Sequence, residues 1–306
     1  MSKKNQGNRI KRSTGEKVFD SLNVIFFILC GLLMVLPFWN VIVLSFTSLG
    51  EFMSSPFILF PKEPTLQAYQ YVFATPLIPR AYLMTIIITV SATIISVLVT
   101  SMLAYGLMRP SLHGHKFFMI FLLITMFFSG GMIPRYFVIK DTLGLDNSLW
   151  ALILPGSVSV FNFIIIRSFY RQLPAALEES ARIDGANDLT ILFRIIYPLS
   201  IPTLATIALF VAVSHWNAWF NANLFIRDAK LYPLQLVIRN FIYRSNKPAE
   251  MQAFEGLRDA SGRLISLNEE AVKMATVVLS VVPLLAIYPF IQKYFEKGVT
   301  IGAVKG

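Results

Sequence analysis

Charged residues are scarce in this sequence: Asp, Glu, Lys and Arg make up 14% of its 306 residues, where soluble domains carry roughly a quarter. Apolar residues (AVILMFWYC) supply 55%, and the mean hydropathy is +0.62. A water-soluble chain of this size could not hide that much apolar surface, because folded proteins keep a large exposed area. The composition therefore excludes an ordinary soluble enzyme. It also excludes a disordered chain, whose signature is low hydrophobicity.

Cysteine and the familiar catalytic motifs are also missing. Cys30 is the only cysteine, which excludes an intramolecular disulfide and a cysteine-rich metal site. The sequence contains neither G-x-x-x-x-G-K-[ST] nor G-x-G-x-x-G, so it lacks the usual phosphate and dinucleotide cradles. His113 and His115 form a short H-G-H loop with too few ligands for a metal. We therefore predict no catalytic residue, no metal site and no cofactor.

Close to half of the chain falls into six stretches of 18 or more residues without Asp, Glu, Lys or Arg. A bilayer core needs about 20 mostly apolar residues in a helix. A buried helix of a soluble core would explain one such stretch but not six. The sequence therefore predicts an all-α membrane protein with six transmembrane helices. The stretches are 21–50, 81–108, 117–134, 147–166, 195–226 and 274–292.

The distribution of Lys and Arg predicts that both termini are cytoplasmic. In that orientation the inner segments hold 15 of the 27 basic residues, and the longer outer segments hold 12, as the positive-inside rule requires. Basic loops explain the net charge of +10 without nucleic acid. The first apolar stretch is too long for a signal peptide, so we expect a retained span. The connecting segments are the cytoplasmic tail 1–20, the outer loop 51–80, the cytoplasmic segment 171–190, the outer loop 222–273 and the cytoplasmic tail 293–306.

The predicted spans are not plain anchors, because prolines and polar residues interrupt them. Non-ideal backbone at membrane depth is tolerated where other helices or a water-filled cavity satisfy its polar groups. Aromatic faces with nearby amides suit a sugar ring, so the end of the fifth stretch is a candidate solute pathway. An interfacial aromatic belt is an equal explanation for its two tryptophans. The candidate pathway residues are His215, Trp216, Asn217, Trp219 and Asn221.

The segment 171–194, RQLPAALEESARIDGANDLTILFR, carries the signals of a short helix followed by a second one. Proline suits a first helical turn, acids suit the positive end of the helix dipole, and glycine ends helices. At two to three turns the first helix is too short to be stable alone, so we expect it to pack against a partner. An ordinary loop with a turn at Asp184-Gly185 is the alternative. The signals are Pro174, then Glu178 and Glu179, then Gly185 as the stop, with Asn187 or Asp188 as the cap of a second helix near Leu189.

This segment resembles the EAA signature of ABC importer permeases, and more closely that of the sugar-type permeases with six spans. The similarity covers roughly 81–292. Two positions depart from the family pattern: Ser180 and Tyr197 stand where Ala and Leu are usual. The residues that carry the resemblance are Glu179, Ser180, Ala181, Asp184, Gly185 and Ala186, followed by Phe193, Ile195, Pro198 and Pro202.

In that family the short helix is a coupling helix, which docks into a groove on a cytoplasmic ATPase subunit. ATP-driven closure of the ATPase pair then moves the spans from inward-facing to outward-facing. The resemblance implies direct contact by Glu179, Ala181, Asp184, Gly185 and Ala186. The full set of residues that it implicates in coupling is Glu178, Glu179, Ser180, Ala181, Arg182, Asp184, Gly185 and Ala186.

The resemblance also implies a function and partners. It implies a multi-pass permease of the bacterial cell membrane that imports a carbohydrate, an oligosaccharide, and is not itself an enzyme. The alternatives are a non-conducting assembly subunit and a permease for a polyol or a glycerol phosphate. An ion-coupled carrier would need buried charges that the spans lack. The implied partners are a second homologous permease, two ATPase subunits and an external solute-binding protein.

Two further segments fit this family. In the outer loop 222–273, an amphipathic stretch from Leu231 to Tyr243 and a polar loop over 244–267 suit docking of the binding protein, and Asn268 resembles a helix cap. The tail 297–306 resembles the family's C-terminal extension, which touches the ATPase pair. A frayed terminus is an equal explanation for that tail.

Overall fold

The computed structural model describes residues 13–55, 58–243 and 268–303. Every regular element within these ranges is a helix, and none of them contains a β-strand. The prediction of an all-α protein is therefore confirmed. The polar loop predicted over 244–267 and most of the predicted tail 1–20 lie outside the described residues.

Among the described residues, four helices are long and apolar enough to cross a membrane. Two bent helix pairs pass the same test when each pair is taken together, so the number of spans is four, or up to six. The four are Thr14–Ser45 (α1), Leu77–Gly106 (α4), Asp188–Trp216 and Glu269–Ile287. The pairs are His115–Phe127 with Met132–Thr142, bent by 114°, and Trp150–Gly156 with Val160–Tyr170, bent by 48°.

The remaining helices are shorter, and several continue directly into π- or 3₁₀-turns. The last helix, α14 (Glu269–Ala303), extends beyond its apolar part. The others are α2 (Leu49–Ser54), α3 (Gln67–Ala74), α5 (His115–Phe127), α6 (Met132–Phe137), α7 (Trp150–Ile153), α8 (Val160–Tyr170), α9 (Ala175–Ile183), α10 (Asp188–Ile191), α11 (Tyr197–Trp216), α12 (Phe220–Phe225) and α13 (Leu234–Tyr243).

The chain forms two compact units, and the smaller comprises Met1–Tyr69 and Ser266–Val278. The Ser45 hydroxyl pairs with the Tyr69 hydroxyl at 2.8 Å, just past the apolar part of α1. The Asn268 side chain accepts a hydrogen bond from the backbone N–H of Glu270 at 3.1 Å. It also donates to the backbone carbonyl of Thr47 at 3.2 Å. Asn268 therefore caps α14, as predicted, and joins it to the end of α1.

The larger unit comprises Gln70–Ile265 and Leu279–Gly306, and its centre is the pair α4 and α11, which pack along each other with α8 against both. Small and hydroxyl side chains at the buried positions of α4, such as Ala92, Ser96 and Ala104, let the neighbouring backbones approach closely. One buried cluster joins the C-terminal end of α4 to α8, α9, α10 and α11. The predicted coupling segment 171–190 is thus attached to the core of this unit through Ala181.

Candidate functional site

The short helix α9 begins and ends where the local chemistry predicts. Pro174 precedes its first residue, and Asp184 is its C-cap. Gly185 follows with φ +80°, the left-handed region that glycine adopts without strain. The N–H of Gly185 donates to the Arg182 carbonyl at 3.0 Å, and that of Ala186 donates to the Ala181 carbonyl at 2.9 Å. These two bonds form a Schellman motif, which ends the helix sharply.

A second cap starts the next helix immediately. The Asn187 side chain accepts a hydrogen bond from the N–H of Thr190 at 2.8 Å, and α10 then begins at Asp188. Of the two capping residues that the sequence offered, Asn187 is therefore the one used. Because both turns are closed by their own hydrogen bonds, α9 is held at a defined angle to the long helix that follows.

The inner side of α9 is anchored in the core. Ala181 is 8% exposed and belongs to the buried cluster shared with α4, α8 and α11. Ala186 packs, partly buried, against the same cluster. The small side chains allow α9 to lie close to the longer helices. Any rigid-body movement of α9 would therefore be passed directly to the centre of this unit.

An ion-pair network strengthens the same attachment. The Nη2 atom of Arg109, just beyond the end of α4, lies 3.1 Å from a carboxylate oxygen of Glu178 and 3.1 Å from one of Asp188. It also donates to the Tyr105 hydroxyl at 2.7 Å, and Arg182 forms a further ion pair with Asp188. The Glu178 side chain is only 16% exposed, so its charge is partly desolvated and depends on Arg109. Arg109 joins α4, α9 and α10 at one point.

The opposite side of α9 is open. Ala176, Glu179, Ser180 and Ile183 follow one another at helical spacing, so they share a face, and all four are exposed. Ile183 is 87% exposed. Exposure of a large aliphatic side chain to water is unfavourable, so this residue would be more stable when covered. We call this set the outer face of α9. The predicted coupling residues thus divide: Glu178, Ala181 and Ala186 point to the core, while Glu179 and Ser180 are on the outer face. Arg182, Asp184 and Gly185 are exposed at the end of the helix.

A cavity of about 420 Å³ lies at the other end of α4 and α11. This volume is within the range of small-ligand sites. Thr85 on α4 lines it, together with Asn162 at the start of α8 and Phe210 on α11. Along α4, Thr85 at the cavity and Tyr105 in the Arg109 network are about 30 Å apart, at about 1.5 Å per residue.

Two of the five candidate pathway residues, His215 and Asn221, line this cavity. The side chain of His215 packs close to Gly156, where a Cβ atom would lie 3.6 Å from the imidazole ring. A Cβ at that distance would be in ordinary van der Waals contact with the ring, so the position lies directly beside the histidine. The cavity and the predicted pathway therefore overlap at the C-terminal end of α11 and the start of α12.

The other three candidates make contacts elsewhere. The indole N–H of Trp216 donates to the Ser280 carbonyl at 2.9 Å, and the ring is buried. The Asn217 side chain donates to the Val213 carbonyl of its own helix at 2.9 Å. The Trp219 ring lies beneath the Arg239 guanidinium, 4.5 Å from its centroid, a cation–π contact that attaches α13. Trp216 and Trp219 thus connect helices, whereas the Asn217 side chain bonds within its own helix.

Sequence reasoning missed two arginines. Arg109 is separated from Glu178 by 69 residues and from Asp188 by 79, so no local pattern could pair them. Arg135 lines the cavity, but in the sequence it is only the first charge after the third apolar stretch. A useful signal was Gly130-Gly131 just before it, because the chain bends by 114° between α5 and α6.

Comparisons with known proteins agree with this architecture. A family model described as "binding-protein-dependent transport system inner membrane component" matches residues 80–301. The polygalacturonan/rhamnogalacturonan transport system permease protein YtcP of Bacillus subtilis is 42% identical over 95% of this chain and 99% of that protein. The trehalose/maltose transport system permease protein MalG of Thermococcus litoralis is 31% identical over 91% of this chain and 94% of that protein.

A solved structure is also similar. One chain in the crystal structure of a bacterial ABC transporter involved in the import of the acidic polysaccharide alginate matches with a TM-score of 0.85 and 30% sequence identity. The match covers 94% of this chain and 99% of that one. The helices described above therefore have the arrangement of an ABC importer permease.

Proposed function

This chain belongs to the family of inner membrane components of binding-protein-dependent transport systems, and we propose that it provides part of the membrane pathway of an ATP-driven oligosaccharide importer. The resemblance to ABC importer permeases that the EAA-like segment indicated is confirmed. The protein is a multi-pass membrane permease, a transport subunit rather than an enzyme. Members of this family work with a second permease, an ATPase and a solute-binding protein.

The substrate class is supported by the relatives and by the cavity. The relatives described above are named for the transport of polygalacturonan and rhamnogalacturonan, of trehalose and maltose, and of alginate, all of which are carbohydrates. The cavity combines the hydroxyl and amide groups of Ser159, Asn162 and Asn221 with the aromatic rings of Phe161 and Phe210. Amides and hydroxyls match the hydrogen bonds of sugar hydroxyls, and ring faces match their C–H surfaces.

The observation that carries the coupling proposal is the two-sided character of α9. Its inner side is fixed to the core through Ala181 and Glu178, while its outer face exposes Ile183. A short helix with one bound side and one open apolar side fits a helix-in-groove contact with another protein. We propose that the outer face docks on the ATPase and that Arg109 transmits the resulting movement to α4.

The direction of transport follows from the proposed orientation. With both termini inside, α9 and Arg109 are cytoplasmic, where an ATPase can reach them, and the cavity lies in the outer half of the protein. Closure of the ATPase pair around ATP would favour the outward-facing state, because ATP binds the closed pair better than the open one. Solute delivered by the binding protein would then enter the cavity, and hydrolysis would reset the subunits.

The proposal is tested by reconstituting the complete importer in proteoliposomes: this chain, its second permease, its ATPase and its binding protein. Uptake of radiolabelled oligosaccharide is measured with ATP, without ATP, and with an inactive ATPase. We expect uptake only with ATP and an active ATPase. Ile183→Glu should abolish uptake and ATPase co-purification, whereas Ile183→Val should preserve both. Uptake by the isolated chain, or normal uptake by Ile183→Glu, would contradict the proposal.

A further inference from the structure

The cavity contains one charged side chain among its described lining residues, Arg135, and we propose that Arg135 binds the carboxylate of a uronic-acid unit in the transported oligosaccharide. This inference rests on the proposed function, because it assigns a substrate class to the same pathway. An acidic sugar would enter a site whose fixed charge is opposite to its own. Arg135 would then be a specificity-determining residue of the permease itself.

The local backbone places Arg135 at the cavity. α5 ends at Phe127, and the chain bends by 114° before α6 begins at Met132. Gly131, with φ +84°, adopts the conformation that this turn requires and that glycine tolerates best. α6 consequently leaves the direction of α5, and its Arg135 lines the cavity. The turn thus places the guanidinium of Arg135 among cavity-lining residues that are otherwise uncharged within the described part of the chain.

Arg135 is exposed, directly after the third apolar stretch, so its guanidinium is accessible from the cavity that it lines. Within the described ranges, Arg135 forms no ion pair. Arg109, Arg182 and Arg227 each pair with a carboxylate, and Arg135 is the arginine without such a pair that lines the cavity. The guanidinium of Arg135 is therefore left available for a ligand.

The other described lining residues leave Arg135 free to bind an anionic ligand, because none of them is an acid that would pair with it. No Asp or Glu is among those residues, so Arg135 has no protein carboxylate to neutralise it there. The polar groups around it are hydroxyls, amides and one imidazole, from residues such as Ser159, Asn162 and His215. These can bind sugar hydroxyls, while a planar guanidinium binds a carboxylate through two parallel hydrogen bonds.

A carboxylate fits this site better than a phosphate. A uronate carries one negative charge, which one arginine balances. A phosphate monoester carries about −1.5 to −2 charges at neutral pH and would leave an excess of negative charge beside the single cation of the described lining. The structure therefore favours an acidic oligosaccharide over a glycerol phosphate, although both are anions.

The test uses the complete importer in proteoliposomes, with three probes: a trisaccharide that contains one galacturonate unit, its methyl ester and glycerol 3-phosphate. The ester has the same rings and linkages as the acid but no charge. Each probe is supplied with saturating binding protein, and the rate ratio of acid to ester is the readout, because this ratio does not depend on how much protein folds. The variants are Arg135→Gln, Arg135→Lys and, as a matched control, the exposed Arg80→Gln, which is not part of the cavity lining.

We expect Arg135→Gln to lower the acid-to-ester ratio about tenfold or more, the scale of a lost hydrogen bond to a charged group. Arg135→Lys should restore part of the ratio, and Arg80→Gln should leave it unchanged. An equal loss of acid and ester uptake in Arg135→Gln would overturn the inference, as would preferred uptake of glycerol 3-phosphate. Uptake of the ester alone would overturn the Arg135 assignment and leave the proposed function standing. Uptake of neither oligosaccharide would also overturn the inference, and ATP-dependent uptake of a neutral oligosaccharide would then show that the proposed function still stands.

Discussion

Replacing Arg109 by glutamine tests whether α9 is mechanically attached to α4. The Nη2 atom of Arg109 carries two hydrogens, so it can form two full hydrogen bonds among Tyr105, Glu178 and Asp188, all within 3.1 Å. Asp188 is 55% exposed and keeps its ion pair with Arg182, so the loss of its bond to Arg109 should cost little stability. Glu178 is 16% exposed and would be left as a partly buried charge without its cation.

The expected loss is about 2 kcal/mol. Stranding a partly buried charged group costs about 1–3 kcal/mol, and the exposed pair with Asp188 adds at most about 0.5 kcal/mol after solvent screening. A change of about 2 kcal/mol corresponds to about 30-fold in an equilibrium constant. The population in which α9 is detached from the core should rise by that factor, because a helix of 9 residues is not stable alone.

Hydrogen–deuterium exchange of the purified importer in nanodiscs measures this population directly. The helical amides of 179–183 should exchange about 30-fold faster in Arg109→Gln, and those of central α4 should not change. Uptake per ATP hydrolysed should fall in parallel, because a detached α9 no longer moves the spans. Arg194→Gln is the matched control, since Arg194 is exposed and forms no ion pair within the described part of the chain. Wild-type exchange rates in Arg109→Gln would refute the reasoning.

Substitutions at three further positions address single features. Gly185→Ala should destabilise the end of α9 by about 1 kcal/mol. The cause is the positive φ alone, because a Cβ there meets nothing within 4 Å. Gly185→Asn should destabilise it less, and the exchange rates of the amides at the end of α9 measure the difference between the two variants. Gly185→Asp should insert normally but abolish coupled uptake, and normal uptake by that variant would count against the coupling role. Asn187→Ala should speed exchange at the start of α10 by removing a cap of about 1 kcal/mol. Trp216→Phe should lower the Tm by about 2–4 °C by losing the bond to the Ser280 carbonyl with uptake retained; a selective uptake defect would instead give Trp216 a direct role in the pathway.

The boundaries of α9 could be predicted because their causes are local. Pro174, Gly185 and Asn187 act on neighbouring backbone groups, so four or five consecutive residues contain all of the relevant chemistry. The apolar stretches are recognisable for a similar reason, since transfer into lipid depends on composition over about 20 residues.

The contacts between distant segments could not be predicted in this way. Arg109 meets Glu178 only because α4 and α9 pack together, and its sequence neighbours carry no trace of that partner. Trp216 and His215 are adjacent in the sequence, yet the indole of Trp216 is buried against Ser280 while the imidazole of His215 lines the cavity. Which way a side chain faces depends on helix rotation, and rotation is decided by the neighbouring helices.

Site-directed labelling at Ile183 tests the central claim most directly. Cys30 is the only cysteine, so Cys30→Ser combined with Ile183→Cys provides a single thiol on the outer face of α9. A membrane-impermeant maleimide is applied to right-side-out and inside-out vesicles, with and without the ATPase subunits. We predict labelling only in inside-out vesicles, and protection when the ATPase is present. Labelling from the outside, or labelling that the ATPase does not affect, would contradict the account.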